Sequence, residues 1–391
     1  MTLYFVVFAS LATLSLLSEL TNSSKISRYL GLTSGLIIVI FFGFRWETGT
    51  DWESYKQLFD DLADIANITY YQERAFETGF LMTTNFIARL TTSLIAYNII
   101  FTLTSFSFLY FAFRRLVKNI SLSFLSVYSS FGLINFMGSI RRGLAISLVM
   151  LAISLTFATS KSLQSPIQIW PNKSIRIKQA LYLFIASLFH RSAIASLFVV
   201  LIPSQSSIKA SRLIIFFVLI CLTGFYFSQL LYELIPLLAS IIGNNPLANK
   251  LSFYTEFGYI AEGYDPKLYL ILSTTKRFLL ICVAAYSLSR LSSQKSSVDC
   301  SATIYKIKYF LLVYCLGLFG YAFFSVIPTF QIMTVPYAMS ECFLLPLLLI
   351  PFKKTHRIFC LVLMILYLGV QLGSSISVLP DAFLPYKSIL F

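Results

Sequence analysis

The chain has 391 residues, of which 57% are hydrophobic and only 12% charged, and its mean hydropathy is +0.79. Repeated apolar runs near the roughly 20 residues needed to cross a bilayer exclude a soluble fold and predict an all-α, polytopic (multi-pass) integral membrane protein in one membrane domain, 1–391. The net charge of +14 does not signal nucleic acid, because the bases sit in short loops between apolar runs, where they set orientation in the membrane.

In chain order, Thr2 to Leu20 is the first span, too long and too weakly basic at its start for a cleaved signal peptide. A loop with Lys25 and Arg28 follows, and Tyr29 to Phe44 returns the chain to the outer face. An acid-rich segment comes next, and from Phe76 to Ser93 a moderately apolar stretch with Glu77, Asn85 and Arg89 reads as an interfacial helix. Leu94 to Phe113 crosses inward, Ser121 to Phe136 outward and Leu144 to Ala158 inward again. Gln179 to Pro203 is interrupted at His190, Arg191 and Ser192, and loop parity favours a re-entrant hairpin whose turn lines a cavity. Leu213 to Phe227, Leu268 to Leu288, Phe310 to Val326, Tyr337 to Ile350 and Ile358 to Gly373 complete about ten spans. Leu230 to Pro266 is long enough for an interfacial helix. On this reading the inner loops hold 18 of the 30 Lys and Arg and one acid, Asp299, and the extracytoplasmic loops are 45–93 and 230–266. Six cysteines (Cys221, Cys282, Cys300, Cys315, Cys342, Cys360), mostly in apolar runs and without CxxC spacing, together with two histidines predict no metal site or disulfide framework.

The charges left over carry the functional signal. From Arg45 to Glu77 the sequence packs eight carboxylates, half of all its Asp and Glu. Glu47, Asp51 and Tyr55 recur every four residues, so a helix starting at Thr50 or Asp51 puts Asp51 and Tyr55 on one face, with Trp52 and Phe59 on another. The bland reading is that Asp51 is only a helix cap. Five cations, Arg141, Arg142, Arg191, Lys276 and Arg277, fall in the outer half of the membrane or near its midplane. Any one of them could snorkel to the headgroups; as a set beneath an acidic loop they suit a ligand with an anionic head and a lipid tail. Adjacent helical residues diverge by about 100°, so Arg141 and Arg142 are not expected to face one site together.

Four blocks carry a resemblance. FFGFRWETGTDWESYKQLF resembles the G-x-R-x-x-x-G-x-D-x-x-x-Y block of the EpsG-like, Wzy-type bacterial polysaccharide polymerases. AFETGF resembles their E-x-G-[YF], GSIRRGLAISLVMLAISL their I-R-Q-x-[LI]-A helix, and LFHRSAI their F-H-x-S-A turn. Arg142 departs from the pattern, standing where the family usually has Gln, and Gln331 stands where an Arg is expected.

The resemblance implies a GT-C-like membrane glycosyltransferase in the bacterial inner (cytoplasmic) membrane, with its active site on the extracytoplasmic side. It would join undecaprenyl-pyrophosphate-linked oligosaccharide repeat units, donor and acceptor, with no cofactor and no metal, and with a chain-length regulator protein as a further partner. In that chemistry Asp51 is the base, with Glu47 and His190 behind it. Arg45 and Arg141 clamp the leaving pyrophosphate, with Arg191 and Arg277 next in line. Tyr55 and Trp52 stack on sugars, and Glu77 completes the substrate site. The rival readings are an O-antigen ligase, a flippase or transporter, and a structural partner in an export complex.

Overall fold

The computed structural model describes residues 1–65, 67–73, 76–157, 172–203, 210–242, 266–293, 298–325 and 328–390. Every named element in it is helical, as a bilayer requires of a chain that is not a closed barrel. Seven helices among the described residues are long and apolar enough to cross a membrane. The chain divides into two compact units, 1–201 with 341–391, and 202–340.

The first unit opens with α1 (Thr2–Leu20) and α2 (Ser24–Gly43), followed by the short helices α3 (Trp52–Asp61), α4 (Asn67–Glu73) and α5 (Thr78–Leu90). Ser23 caps α2 by accepting from Ile26 N, and Ser93 caps α6 (Leu94–Leu116) by accepting from Ala96 N. With 13 residues, α5 spans about 20 Å, short of a bilayer, which matches the interfacial reading.

Asn119 caps α7 (Ile120–Val127), which continues as a π-helical stretch, Tyr128–Met137, before α8 (Ile140–Ser154). These two spans form the centre of the unit: each is 83% enclosed by protein, against 17% for α14 (Lys354–Val378). Ser121, Ser123, Ser126 and Ser129 are fully buried along the α7 span. Small side chains let membrane helices approach closely, and Ser123 Oγ donates to Cys342 O on α13 (Glu341–Leu348) at 2.7 Å. Residues 158–171, which the sequence predicts as an inner loop, lie outside the described residues.

The break at His190 is present. α9 (Lys173–Phe189) stops there, His190 adopts an extended backbone, and a 3-10 stretch, Arg191–Leu201, packs back on α9.

The second unit contains α10 (Ala210–Ile242), α11 (Pro266–Ser293) and α12 (Val298–Phe323). Leu230 to Ile242 prolongs α10 instead of opening a loop, because its apolar run continues the helix; residues 243–265 lie outside the described residues. The predicted span Tyr337 to Ile350 is also corrected. Short turns Pro328–Gln331, Ile332–Thr334 and Val335–Ala338 precede a separate α13, with the break at Met339 and Ser340; Pro336 stands in the first turn of Val335–Ala338, where a proline is tolerated, and Pro346 lies inside α13.

Candidate active site

The loop leaving α2 is held by the C-terminal segment. Past α14 comes α15 (Pro380–Phe383), then an extended strap whose Ser388 bridges Arg45 in antiparallel fashion. Trp46 N donates to Lys387 O (2.9 Å), Lys387 N to Thr48 Oγ1 (3.1 Å) and Gly49 N to Ala382 O (2.8 Å). Tyr386 stacks on Phe41 at 4.4 Å and donates to its carbonyl at 2.5 Å. Gly49 has φ +113°, and a Cβ there would lie 2.8 Å from Met137 O, so only glycine lets the turn sit on the end of the α7 span.

That anchoring buries Arg45, the largest fully buried side chain among the described residues, at 1% exposure. Its Nε and Nη1 have no hydrogen-bond partner. Tyr55, Tyr386, Asp51 and Tyr4 lie within electrostatic reach. Burial pulls its pKa down to about 10, so Arg45 keeps its charge at neutral pH.

Asp51 occupies the N-cap position of α3, but its side chain makes no capping bond. Instead it accepts from Tyr55 Oη at 3.4 Å, and Tyr55 also meets Ser139 Oγ at 3.0 Å. Ser139 precedes the first turn of α8, where Arg141 and Arg142 stand. Arg141 pairs with Glu77 Oε2 at 2.6 Å and lies 4.7 Å over the Phe76 ring. Glu77 Oε1 accepts from Arg191 N at 3.0 Å, tying the first turn of α8 to the His190 break. Gly79 makes this approach possible: a Cβ there would come within 2.7 Å of Leu188 Cβ. His190 Nδ1 contacts Ser192 Oγ at 2.7 Å, and Arg141 and Arg142 lie within electrostatic reach of the imidazole.

Some of the residues named from sequence are placed differently from expectation. The Tyr55 ring is 2% exposed and packs edge-on against Phe80, so its hydroxyl, not its face, reaches the cluster. Trp52 sits edge-to-face with Trp46 at 5.1 Å, near Lys56. Glu47 points to the strap and pairs with Lys387 at 2.6 Å, which holds its carboxyl below the usual range. Arg191 contributes its backbone amide while its side chain is exposed. Arg277 belongs to the second unit, where it stacks on Tyr321 at 3.7 Å. Arg142 lies within electrostatic reach of Tyr55, Asp51 and Glu77, as Arg141 does, but the ion pair with Glu77 belongs to Arg141.

Ser139, Arg142 and the strap were not named as site residues from sequence. Only Arg142 carried a signal, as a cation beside another at a helix start. Among the described residues no group of three or more His, Cys, Asp or Glu could hold a metal ion.

A family model described as the EpsG family matches residues 28–388, from α2 through the strap. The chain belongs to the EpsG family. No curated protein and no solved structure matches it. In this EpsG-family protein, residues from all four sequence blocks are linked: Asp51 is bonded to Tyr55, Arg45 and Arg141 lie within electrostatic reach of Tyr55, Glu77 pairs with Arg141, and His190 lies within electrostatic reach of Arg141.

Proposed function

We propose that this EpsG-family protein is a membrane glycosyltransferase of GT-C-like architecture. In this reading it polymerises undecaprenyl-pyrophosphate-linked oligosaccharide repeat units at the outer face of the bacterial cytoplasmic membrane. Membership of the EpsG family supports a role of polymerase type in exopolysaccharide biosynthesis. The observation that carries the reading further is the buried Arg45 guanidinium, with two nitrogens unpartnered, within electrostatic reach of the Asp51 carboxylate.

In the reaction an acceptor hydroxyl oxygen attacks the anomeric carbon of the donor sugar. The bond from that carbon to the pyrophosphate oxygen breaks, and the hydroxyl proton passes to Asp51. The lipid pyrophosphate leaves with the bonding electrons. Arg45 in the loop after α2, with Arg141 and Arg142 at the N-terminus of α8, opposes its growing negative charge. Glu77 holds Arg141 and the amide of Arg191, which keeps the clamp oriented before substrate arrives. Tyr55 bridges Asp51 and Ser139 and fixes the carboxylate relative to the clamp.

The test is the polysaccharide banding of a deletion strain complemented with wild type or with Asp51→Asn. Accumulation of single repeat units, with normal protein in the membrane, is expected for both the deletion and Asp51→Asn. Loss of a general base lowers rate by about 100-fold or more. Polymer present but unattached would indicate a ligase, and loss of all surface units a flippase. Normal polymer in Asp51→Asn would remove it as the base.

A further inference from the structure

Helices α5, α6, α8 and α9 enclose a half-open cleft of about 280 Å³, with walls that include Ile87, Thr104, Phe108, Leu148, Ile185 and Phe189. Its two threonines, Thr83 and Thr104, donate their hydroxyls to carbonyls one turn back on their own helices, at 2.8 and 2.7 Å, so the wall presents hydrocarbon. The cleft starts where the polar cluster ends. Leu144 lies one turn beyond Arg141 on α8, and Phe189 adjoins His190. Phe101 is linked back to Arg141 through Phe80 and Phe76, at ring distances of 5.6 and 6.4 Å and a cation-to-ring distance of 4.7 Å. From Ile100 to Phe108 the wall runs about 12 Å along α6.

We infer that this cleft holds the head-proximal part of the isoprenoid tail of the lipid-linked substrate, with the pyrophosphate on the arginines at its mouth. The inference rests on the proposed function and adds where the lipid goes. Any cleft between membrane helices fills with hydrocarbon; the cationic mouth selects a chain that carries an anion at its end. The volume is near the lower end of ligand pockets, about 300 Å³, so most of an undecaprenyl chain remains in the bilayer.

The experiment uses the full-length protein in phosphatidylcholine nanodiscs and two probes sharing one head group, undecaprenyl pyrophosphate and the single-isoprene dimethylallyl pyrophosphate. Thr104→Trp fills the cleft, while Leu103→Trp adds the same bulk on the neighbouring exposed face, where Leu103 is 45% exposed. Thr104→Trp is expected to weaken undecaprenyl pyrophosphate at least tenfold and leave dimethylallyl pyrophosphate unchanged; Leu103→Trp should alter neither. Unchanged affinity of Thr104→Trp for the long probe overturns the inference. Should that variant not accumulate, wild type is cross-linked with undecaprenyl pyrophosphate carrying a diazirine in its first isoprene units. Labelling of Ile87, Phe108, Ile185 and Phe189 above that by a diazirine phosphatidylcholine supports the cleft, and equal labelling overturns it. Wild type that binds both pyrophosphates but is labelled elsewhere sinks the cleft and spares the proposed function. Wild type that binds neither sinks both.

Discussion

A buried guanidinium with no carboxylate bonded to it is held at a cost of several kcal/mol, and the unpartnered Nε and Nη1 make Arg45 such a group. A residue kept for folding would be better replaced by an apolar chain of similar volume; one kept to meet an anion would not. Arg45→Met is therefore expected to leave thermal stability in detergent unchanged or higher while polymer is lost from cells. A fall in Tm of many degrees would mean that Arg45 holds the loop together, and normal polymer would take it out of the clamp. Asp51 and Glu47 separate by the same logic. Glu47 is half-exposed and engaged with Lys387, whereas Asp51 faces Tyr55 inside the cluster. Glu47→Gln should leave polymer length nearly normal, measured beside Asp51→Asn in one complementation series. The sign of its pH effect follows from its lowered pKa. The ion pair contributes fully above the unfolded value of about 4.3 and fades as pH falls through the lower folded value, and at so exposed a site the effect is small.

At the scale of elements, the strap makes the Arg45 loop a tertiary structure and not a local one. The Tyr386–Phe41 stack is worth about 1 kcal/mol and the Tyr386 hydrogen bond about 1 kcal/mol more, so Tyr386→Ala should lower stability by about 2 kcal/mol. It should also reduce polymer by freeing the loop that carries Arg45. Tyr386→Phe keeps the ring and should lose only the hydrogen bond, about 1 kcal/mol, read as Tm and banding for the two variants side by side. Equal, wild-type-like behaviour of both would show that the strap does not position Arg45. The strap was illegible in the sequence because it pairs segments some 340 residues apart (Trp46 with Lys387), each with no pattern of its own. Spans such as Thr2–Leu20 and the helix break at His190 were legible because apolar length and an interrupting polar triplet are local signals. The fate of Leu230 to Ile242 was not, since an apolar run reads alike as the end of a span and as an interfacial helix. Nor was the role of Asp61. Its carboxylate accepts the Tyr71 hydroxyl and its carbonyl the Asn67 amide, at 2.8 Å, partners that no local pattern announces.

For the whole molecule, orientation follows from charge. The first unit carries its acid-rich loop at the end where α2 finishes and α3 begins, and Lys25, Arg114, Arg115, Lys118 and Lys354 at the opposite ends of its spans. Short basic loops tend to stay in the cytoplasm, so the expected orientation puts the end with Asp51, Arg45 and Arg141 outside. Asp60, Lys387, Lys25 and Lys354 are all exposed and suit single-cysteine labelling with a membrane-impermeant maleimide in intact cells. Cysteines at 60 and 387 should label, and those at 25 and 354 only after the cells are opened. Position 206 decides the path beyond α9. If α9 and the 3-10 stretch are two arms of a hairpin, Ser206→Cys stays protected like Lys25→Cys, and the later basic loops keep the cytoplasmic side. If the pair makes one crossing, Ser206→Cys labels from outside, and every basic loop of the second unit before α13 must then face outward against its charge. The four reference positions fix the orientation of the first unit independently of that result, so labelling at 206 sinks the hairpin without disturbing the assignment of the active-site face.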